Sequence, residues 1–329
     1  MPSMNWMRRA AVAALASLAA AATLPVAAGA QDFPSKPVTI VVPFGPGTAN
    51  DIIARQVAQD MAVTLGQGVI VENRAGATGN IAAEYVAKSR PDGYTLMIGS
   101  LSNIINQATG NTGNDLARDF APVAFSGKTP YSFLVPNDLP AKDVAGLVEL
   151  ARREPGKLNY SGFVGGVPQF LGEMLNRAAK INMVMVPYKS TTDALTDLLG
   201  NRIQVWVTPV ASGLPVNNQK QARMIATTGE SRLKVLPDVP TFKEAGYPDL
   251  TVEVTYFLLA AKGTPQPIVD RLHAAVDKAM RNPKVIEALA PQGIGETSGS
   301  PADLGAYLAA EVRRWTDIVR QSAPPTVGK

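Results

Sequence analysis

Cysteine is absent from the sequence, and histidine occurs once, at His273. The first absence excludes a disulfide framework, thiol chemistry and cysteine-ligated metal. His273 sits in Arg271-Leu-His-Ala-Ala-Val-Asp277, a helical pattern whose buried face is marked by Leu272 and Val276, so a solvent-facing histidine is expected rather than a base or a ligand. No serine stands beside a positioned base, and histidines and carboxylates do not cluster, which argues against nucleophilic catalysis and against a metal centre. Excess charge of one sign is also missing: 31 basic residues face 27 acidic ones. The basic residues are scattered without interleaved aromatics, so no nucleic-acid face is expected. There is no Gly-x-Gly-x-x-Gly, and no lysine joins the first glycine-rich loop, which disfavours nucleotide binding. Internal repeats and low-complexity tracts are lacking as well.

Only the N-terminus carries an extended apolar run. Arg8 and Arg9 precede Ala10 to Ala22, and Ala28-Gly29-Ala30 offers small residues for cleavage. This is the order of a secretory signal over residues 1–30, with Gln31 as the mature start. A membrane anchor is the weaker reading, because the run is mostly alanine and is interrupted by Thr23 and Pro25. Export to the periplasm is therefore expected. Without Arg8 and Arg9 the chain holds 29 basic and 27 acidic residues, close to balance. An apolar fraction of 46% suffices for a core in one large or two medium domains.

The most informative stretch is Pro34-Ser-Lys-Pro-Val-Thr-Ile-Val-Val-Pro-Phe44, followed by Gly45-Pro-Gly-Thr-Ala-Asn-Asp51 and an apolar-periodic run to Leu65. It predicts a buried strand, a loop shaped by glycine and proline, and a helix capped by Asn50 or Asp51 and closed by Gly66. Such a unit can hold an anion on backbone alone, since unpaired N–H groups and the positive end of the helix dipole face the loop. Asp51 could in principle act as a base, but capping explains it more simply.

Beyond this unit, short β-branched runs alternate with helical patterns, as in α/β domains with largely parallel sheets. Strands are predicted over 38–42, 69–72, 95–98, 133–135, 158–161, 183–187, 204–207, 224–227 and 255–260. Helices are predicted over 51–65, 79–89, 144–154, 169–179, 192–199, 267–281, 283–289 and 301–322. Two segments, 121–137 and 248–263, read as crossings between lobes. The expected division is lobe 1 from 31–130 plus 253–329 and lobe 2 from 131–252, with a cleft at the carboxyl ends of the strands. Loops 44–50, 74–80, 100–103, 161–169 and 189–192 are rich in Gly, Ser, Thr and Asn. Either they are ordinary turns, or their hydroxyl and N–H groups converge on a carboxylate. Gly79 opens a second helix that could face the same anion.

From Phe33 nearly to the C-terminus, the chain resembles the Bug family of solute receptors, the TctC type of tripartite tricarboxylate transporters. The matching blocks include the Pro34–Phe44 run, Val71-Glu-Asn-Arg-Ala-Gly76, Pro91-Asp-Gly-Tyr-Thr-Leu96, Lys157-Leu-Asn-Tyr160 and Val186-Pro-Tyr-Lys189. Ala194-Leu-Thr-Asp-Leu-Leu-Gly200, Leu236-Pro-Asp-Val-Pro-Thr241 and Gly263-Thr-Pro265 continue the match in order. The resemblance implies a periplasmic-binding-protein fold of the second type, two α/β lobes joined by two hinge strands. It further implies a monomer that closes on a small organic carboxylate and presents it to an inner-membrane permease, with no cofactor, metal or nucleic acid. Family contacts fall on Phe44, Gly45, Thr48, Ala49, Asn50 and Asp51 in the first loop, on Thr78, Gly79 and Asn80 in the next, and on Ser100 and Ser102 after the third strand. From the second lobe they fall on Ser161, Phe163, Val164, Gly165 and Gln169, and on Thr208. Lys189 is added as a cation near the cleft or on its rim.

Departures from the family pattern bear on the ligand. Many members have Asp-Asn where this chain has Thr208-Pro209; that Asp can receive an amino group, so its absence disfavours aspartate and glutamate. Leu101, Phe163, Val164, Val167 and Pro168 make the pocket more apolar, as does Tyr256-Phe257 in place of a Trp-Phe pair. A dicarboxylate or an aromatic carboxylate is thus favoured, unless Phe163 and Val164 simply pack within their lobe. The alternatives are a ligand sensor that docks to a signalling partner and, further off, a cleft enzyme.

Overall fold

Residues 33–188 and 190–322 are described by the computed structural model. The signal expected at 1–30 and the cation expected at Lys189 lie outside the described residues. From Lys36 onward the chain is one unit, separate from the residues before it.

Strand β1 (Val38–Val42) forms where four of five residues are aliphatic and β-branched, and Val38, Ile40, Val41 and Val42 are all fully buried. A strand covered on both faces needs this near-continuous apolar run. Each such side chain contributes about 1.5–3 kcal/mol on burial. Helix α1 (Ala49–Leu65) turns Ile53, Ala54, Val57, Ala58, Met61 and Leu65 inward, an i, i+3, i+4 stripe that ends at Gly66 in the left-handed region. Then follow β2 (Val69–Asn73), α2 (Asn80–Ala87), β3 (Thr95–Gly99) and α3 (Leu101–Ala108). β1 lies between β2 and β3, parallel to both.

β4 (Phe120–Pro136) is 17 residues long and serves two neighbourhoods. The part from Phe120 to Pro130 pairs antiparallel with β9, and the part from Tyr131 to Pro136 runs between β7 and β8. Pro122 and Pro130 are tolerated in the first part because β9 is its one strand neighbour, so a missing N–H can face outward. Register shifts between Pro122 and Ala124 and between Phe125 and Gly127 mark bulges there.

After β4 come α4 (Val144–Arg153), β5 (Asn159–Gly162), α5 (Val167–Ala179), β6 (Val184–Pro187), α6 (Thr191–Leu199), β7 (Trp206–Pro209), α7 (Val210–Asn218) and β8 (Ala222–Thr227). β5 pairs parallel with β6 and is bridged to β7 through Tyr160 and Val205. Leu134, Leu198, Ile203, Trp206, Val210, Leu214 and Met224 form a buried cluster under α6 and α7. The chain returns through β9 (Glu253–Ala261), which inserts antiparallel between β3 and β4. It ends in α8 (Gln266–Met280), α9 (Pro283–Leu289) and α10 (Pro301–Ser322). The seven-stranded sheet thus runs β2-β1-β3-β9-β4-β7, with β8 also on β4.

Both segments read as crossings are long strands, and they pair with each other. The expected α/β class holds, with several corrections, the first being that the seven-stranded sheet is mostly antiparallel rather than largely parallel. α3 and α7 were not anticipated, and the strand expected at 133–135 begins at Phe120. His273 does not face solvent freely: it is half-buried, and its Nδ1 lies 3.1 Å from the carbonyl of Val123. Asn50 and Asp51 do not cap α1, because Thr48 takes the cap position with extended backbone.

Candidate functional site

The loop after β1 is fixed by a connected polar network. Thr48 Oγ1 donates to the Gly45 carbonyl at 2.9 Å. Its hydroxyl therefore turns away from the helix, and no side chain caps α1. Asp51, in the first turn, accepts from Gly47 N at 3.0 Å, from Asn73 Nδ2 at 2.9 Å and from Arg55 at 2.9–3.1 Å. Asn73 Nδ2 also donates to the Phe44 carbonyl at 3.0 Å. Burial pushes the Asp51 carboxyl pKa up, but the bonds from Arg55, Gly47 and Asn73 outweigh this and hold it below the usual carboxylate range. Asp51 is thus a buried organiser of the loop whose side chain already has its partners. What the helix start offers a ligand is the N–H groups of its first turn at Ala49, Asn50 and Asp51, since the next one, Ile52 N, already bonds Thr48 O.

The loop after β2 is strained. Ala77 and Thr78 have φ of 46° and 55°, and Thr78 is β-branched. Each such residue costs on the order of 1–3 kcal/mol and persists only when its surroundings enforce it. Asn106 supplies part of that enforcement, donating from Nδ2 to the Thr78 carbonyl and to Asn80 Oδ1, both at 2.9 Å. Gly79, at φ 96°, packs where a Cβ would stand 3.2 Å from Pro43 Cβ, 3.5 Å from Asn103 Nδ2 and 3.8 Å from the Phe44 ring. Those contacts bring the first three loops together.

After β3, Ser100 is the cap residue of α3, and its N–H donates to Asn103 Oδ1 at 3.0 Å. Ser100 is buried and Ser102 half-buried. Asn50 Nδ2 reaches the Ile98 carbonyl at 3.4 Å, tying α1 to β3. The segment expected as a loop at 100–103 is thus a helix start, a third one beside those at Ala49 and Asn80.

From the other part of the chain, Ser161 Oγ accepts from Val207 N at 3.0 Å, linking β5 to β7. Gly165 N donates to Gln169 Oε1 at 2.9 Å, and Gln169 Nε2 to Glu173 at 2.8 Å, so the Gln169 amide closes its own loop. Phe163 is half-buried; Val164 is 77% exposed, so the packing alternative fails for Val164. At Gly165 a Cβ would lie 3.4 Å from Asn111 Nδ2, and the Asn111 carbonyl accepts from Asn80 Nδ2 at 2.6 Å. Asn111 is therefore where the loop after β5 meets the loop after β2. Thr208 is 2% exposed, and its hydroxyl is buried without a partner among the described residues.

Charges near these loops are already matched. Arg55 serves Asp51, and Arg74 pairs with Glu72 at 2.7 Å while stacking 3.6 Å over Tyr85. Among the described residues, an anion here would meet N–H groups and hydroxyls rather than a free cation. An open groove of about 620 Å³ runs over Lys36, Tyr85, Arg90 and Tyr94. Sequence reasoning did not single out Asn73, Asn106 or Asn111, although each supports a loop it named.

Strand ends meeting across two crossing strands define a two-lobed periplasmic-binding-protein fold with a helix start that no side chain caps. Residues 53–323 match the model of the tripartite tricarboxylate transporter family receptor, TctC, and the chain belongs to that family of solute-binding receptors, which are not enzymes. BugT of Bordetella pertussis is 30% identical over 325 residues, spanning 97% of this chain and 98% of BugT. MatC of Rhodopseudomonas palustris, solved with bound malate, superposes with a TM-score of 0.78 at 32% identity, over 87% of this chain and all of MatC. Rpa4515 of R. palustris, solved with adipate, gives 0.80 at 31% identity, over 88% of this chain and 98% of that one.

Proposed function

We propose that this receptor works in the periplasm, reached through the N-terminal signal, and binds a small organic carboxylate for an inner-membrane permease of the tripartite tricarboxylate type. The observation that carries the reading is the start of α1: first-turn N–H groups with no capping side chain, beside a loop held rigid by Asp51, Arg55 and Asn73. Pre-organised donors of this kind suit a carboxylate, because their alignment is already fixed before binding. The convergence of Gly79 and Ser100 on the same place adds support, as do the malate and adipate held by two relatives of similar fold.

Lobe 1 is assigned to 31–130 with 253–329 and lobe 2 to 131–252, the hinge being β4 and β9. Ligand contacts are assigned to Phe44, Gly45, Thr48 to Asp51, Thr78 to Asn80, Ser100 and Ser102 from lobe 1, and to Ser161, Phe163 to Gly165, Gln169, Lys189 and Thr208 from lobe 2. For Asp51 the contact is through its N–H. Binding then biases an open-to-closed equilibrium, because contacts from both lobes exist together in the closed form alone. Thr208-Pro209 lacks a carboxylate to meet an ammonium, which favours dicarboxylates or aromatic carboxylates over amino acids.

Thermal unfolding of the purified protein tests this. Malate, succinate, adipate or benzoate should raise the melting temperature by mass action, and glucose or a neutral dipeptide should not. Shifts with the neutral compounds alone would end the carboxylate reading, and tighter binding of aspartate than of succinate would end the ligand preference.

A further inference from the structure

Most buried tyrosines find a partner for the hydroxyl. Tyr160 donates to the Gln169 carbonyl at 3.3 Å, and the half-buried Tyr188 to Asp197 at 2.8 Å. Tyr131 and Tyr256 do not fit this pattern. They are 7% and 2% exposed, and neither hydroxyl has a hydrogen-bond partner among the described residues.

Register places both within their own strands but opposite the ends of neighbouring strands whose following residues form the site. The last pair between β3 and β9 is Gly99 with Phe257, so the next rung sets Tyr256 opposite Ser100, where the loop after β3 begins. On its other side Tyr256 pairs with Gly127, where a Cβ would stand 3.2 Å from Ile294 and 3.6 Å from Ile53 of α1. Tyr256 thus stands on the sheet face covered by the first turns of α1. Tyr131 pairs with Pro209, and the neighbouring rung is Ser132 with Thr208. It therefore borders the β7–α7 junction, where α7 starts at Val210 directly after Pro209. Burial is the main reason both phenols stay protonated far above neutral pH, and at Tyr256 the neighbouring Tyr131 adds to it.

We infer that Tyr131 and Tyr256 form a phenolic anchor at the base of the cleft, donating to an oxygen of the ligand that the α1 loop does not reach. Two neutral donors without a cation suit the second carboxylate of a dicarboxylate, whose charge strengthens each bond. The anchor rests on the carboxylate-receptor reading above and sharpens it: a monocarboxylate can use the α1 loop but leaves the two phenols unpartnered, so dicarboxylates are selected.

Calorimetric titration of the purified protein and its Tyr131→Phe and Tyr256→Phe variants with malate, adipate and benzoate decides the matter. Each variant should lose about tenfold in affinity for the dicarboxylate that binds wild type best, and no more than about twofold for benzoate. Its unliganded melting temperature should stay equal or rise, since each hydroxyl is unpartnered in the free protein. Wild-type-like dicarboxylate binding in both variants, equal losses for all three acids, or a fall in unliganded melting temperature overturns the anchor while leaving the receptor reading in place. Failure of the wild type to bind any of the acids overturns both.

Discussion

Asn106 holds Thr78 in place: its Nδ2 donates to the Thr78 carbonyl at 2.9 Å, across 28 positions of sequence. Thr78 is at φ 55°, so this bond restrains a backbone that would otherwise relax. Asn106→Leu should leave that carbonyl unpaired and cost about 1–3 kcal/mol of stability. Amide hydrogen exchange over residues 76–80 should accelerate, and carboxylate affinity should fall with it. Unchanged protection of that loop would show the tether to be idle.

Asp51 gives a pH signature. Its pKa in the folded protein is depressed, so the stability it adds is fully present above its unfolded value and is lost as the pH falls through the folded one. Asp51→Asn should lower stability at neutral pH by about 2 kcal/mol, through lost bonds to Arg55 and Gly47. Wild type and variant should then converge in acid, below the ordinary carboxylate pKa of about 3.9. Denaturant melts at a series of pH values read this directly; a gap that stays constant into acid contradicts it.

Trp315 reports on the loop after β5. It is fully buried, its indole donates to Glu311 at 3.1 Å, and it meets Phe170 edge to face at 5.9 Å. Phe170 follows Gln169, which closes that loop, so a ligand that draws the loop inward should alter the emission of Trp315. Trp315→Phe should remove most of the ligand-dependent fluorescence change while Trp206, deep in its own cluster, remains silent. Retention of the full change in the variant would place the reporter elsewhere.

Parts of the fold could be read from residues alone where local signals agree. β1 has its observed bounds because a β-branched run lies between prolines, and α9 and α10 begin at Pro283 and Pro301, a residue that suits a first helical position. Where local signals conflict with tertiary demand, the reading fails. α3 has Asn103 and Asn106 among its eight residues, poor helix formers, yet it is held by packing against α10. α7 contains Gly213 and Pro215. Pro122, Gly127 and Pro130 hide the first half of β4, where bulges and a single strand neighbour make them acceptable.

The candidate site follows the same division. Its loops were visible as Gly, Ser, Thr and Asn clusters at strand ends, and Gly79 could be seen to open a helix. Their fastening was not, because Asn73 reaches Asp51 across 22 positions and Asn80 reaches Asn111 across 31. Asp51 was read as a helix cap, since a carboxylate near a helix start resembles one until Arg55 and Asn73 are placed around it.

β4 also limits how this protein can be divided. At about 3.3 Å per residue its 17 residues span roughly 55 Å as a single ribbon, lending one edge to β9 and then both edges to β7 and β8. A break between Pro130 and Tyr131 would leave the β9 pairings on one piece and the β7 and β8 pairings on the other, but would sever the ribbon that joins them in one sheet. The two halves are therefore not interchangeable modules: a chimera between relatives that joins inside β4 must graft its bulges and register intact, or lose the alignment of β9 with β7 and β8 across the one sheet.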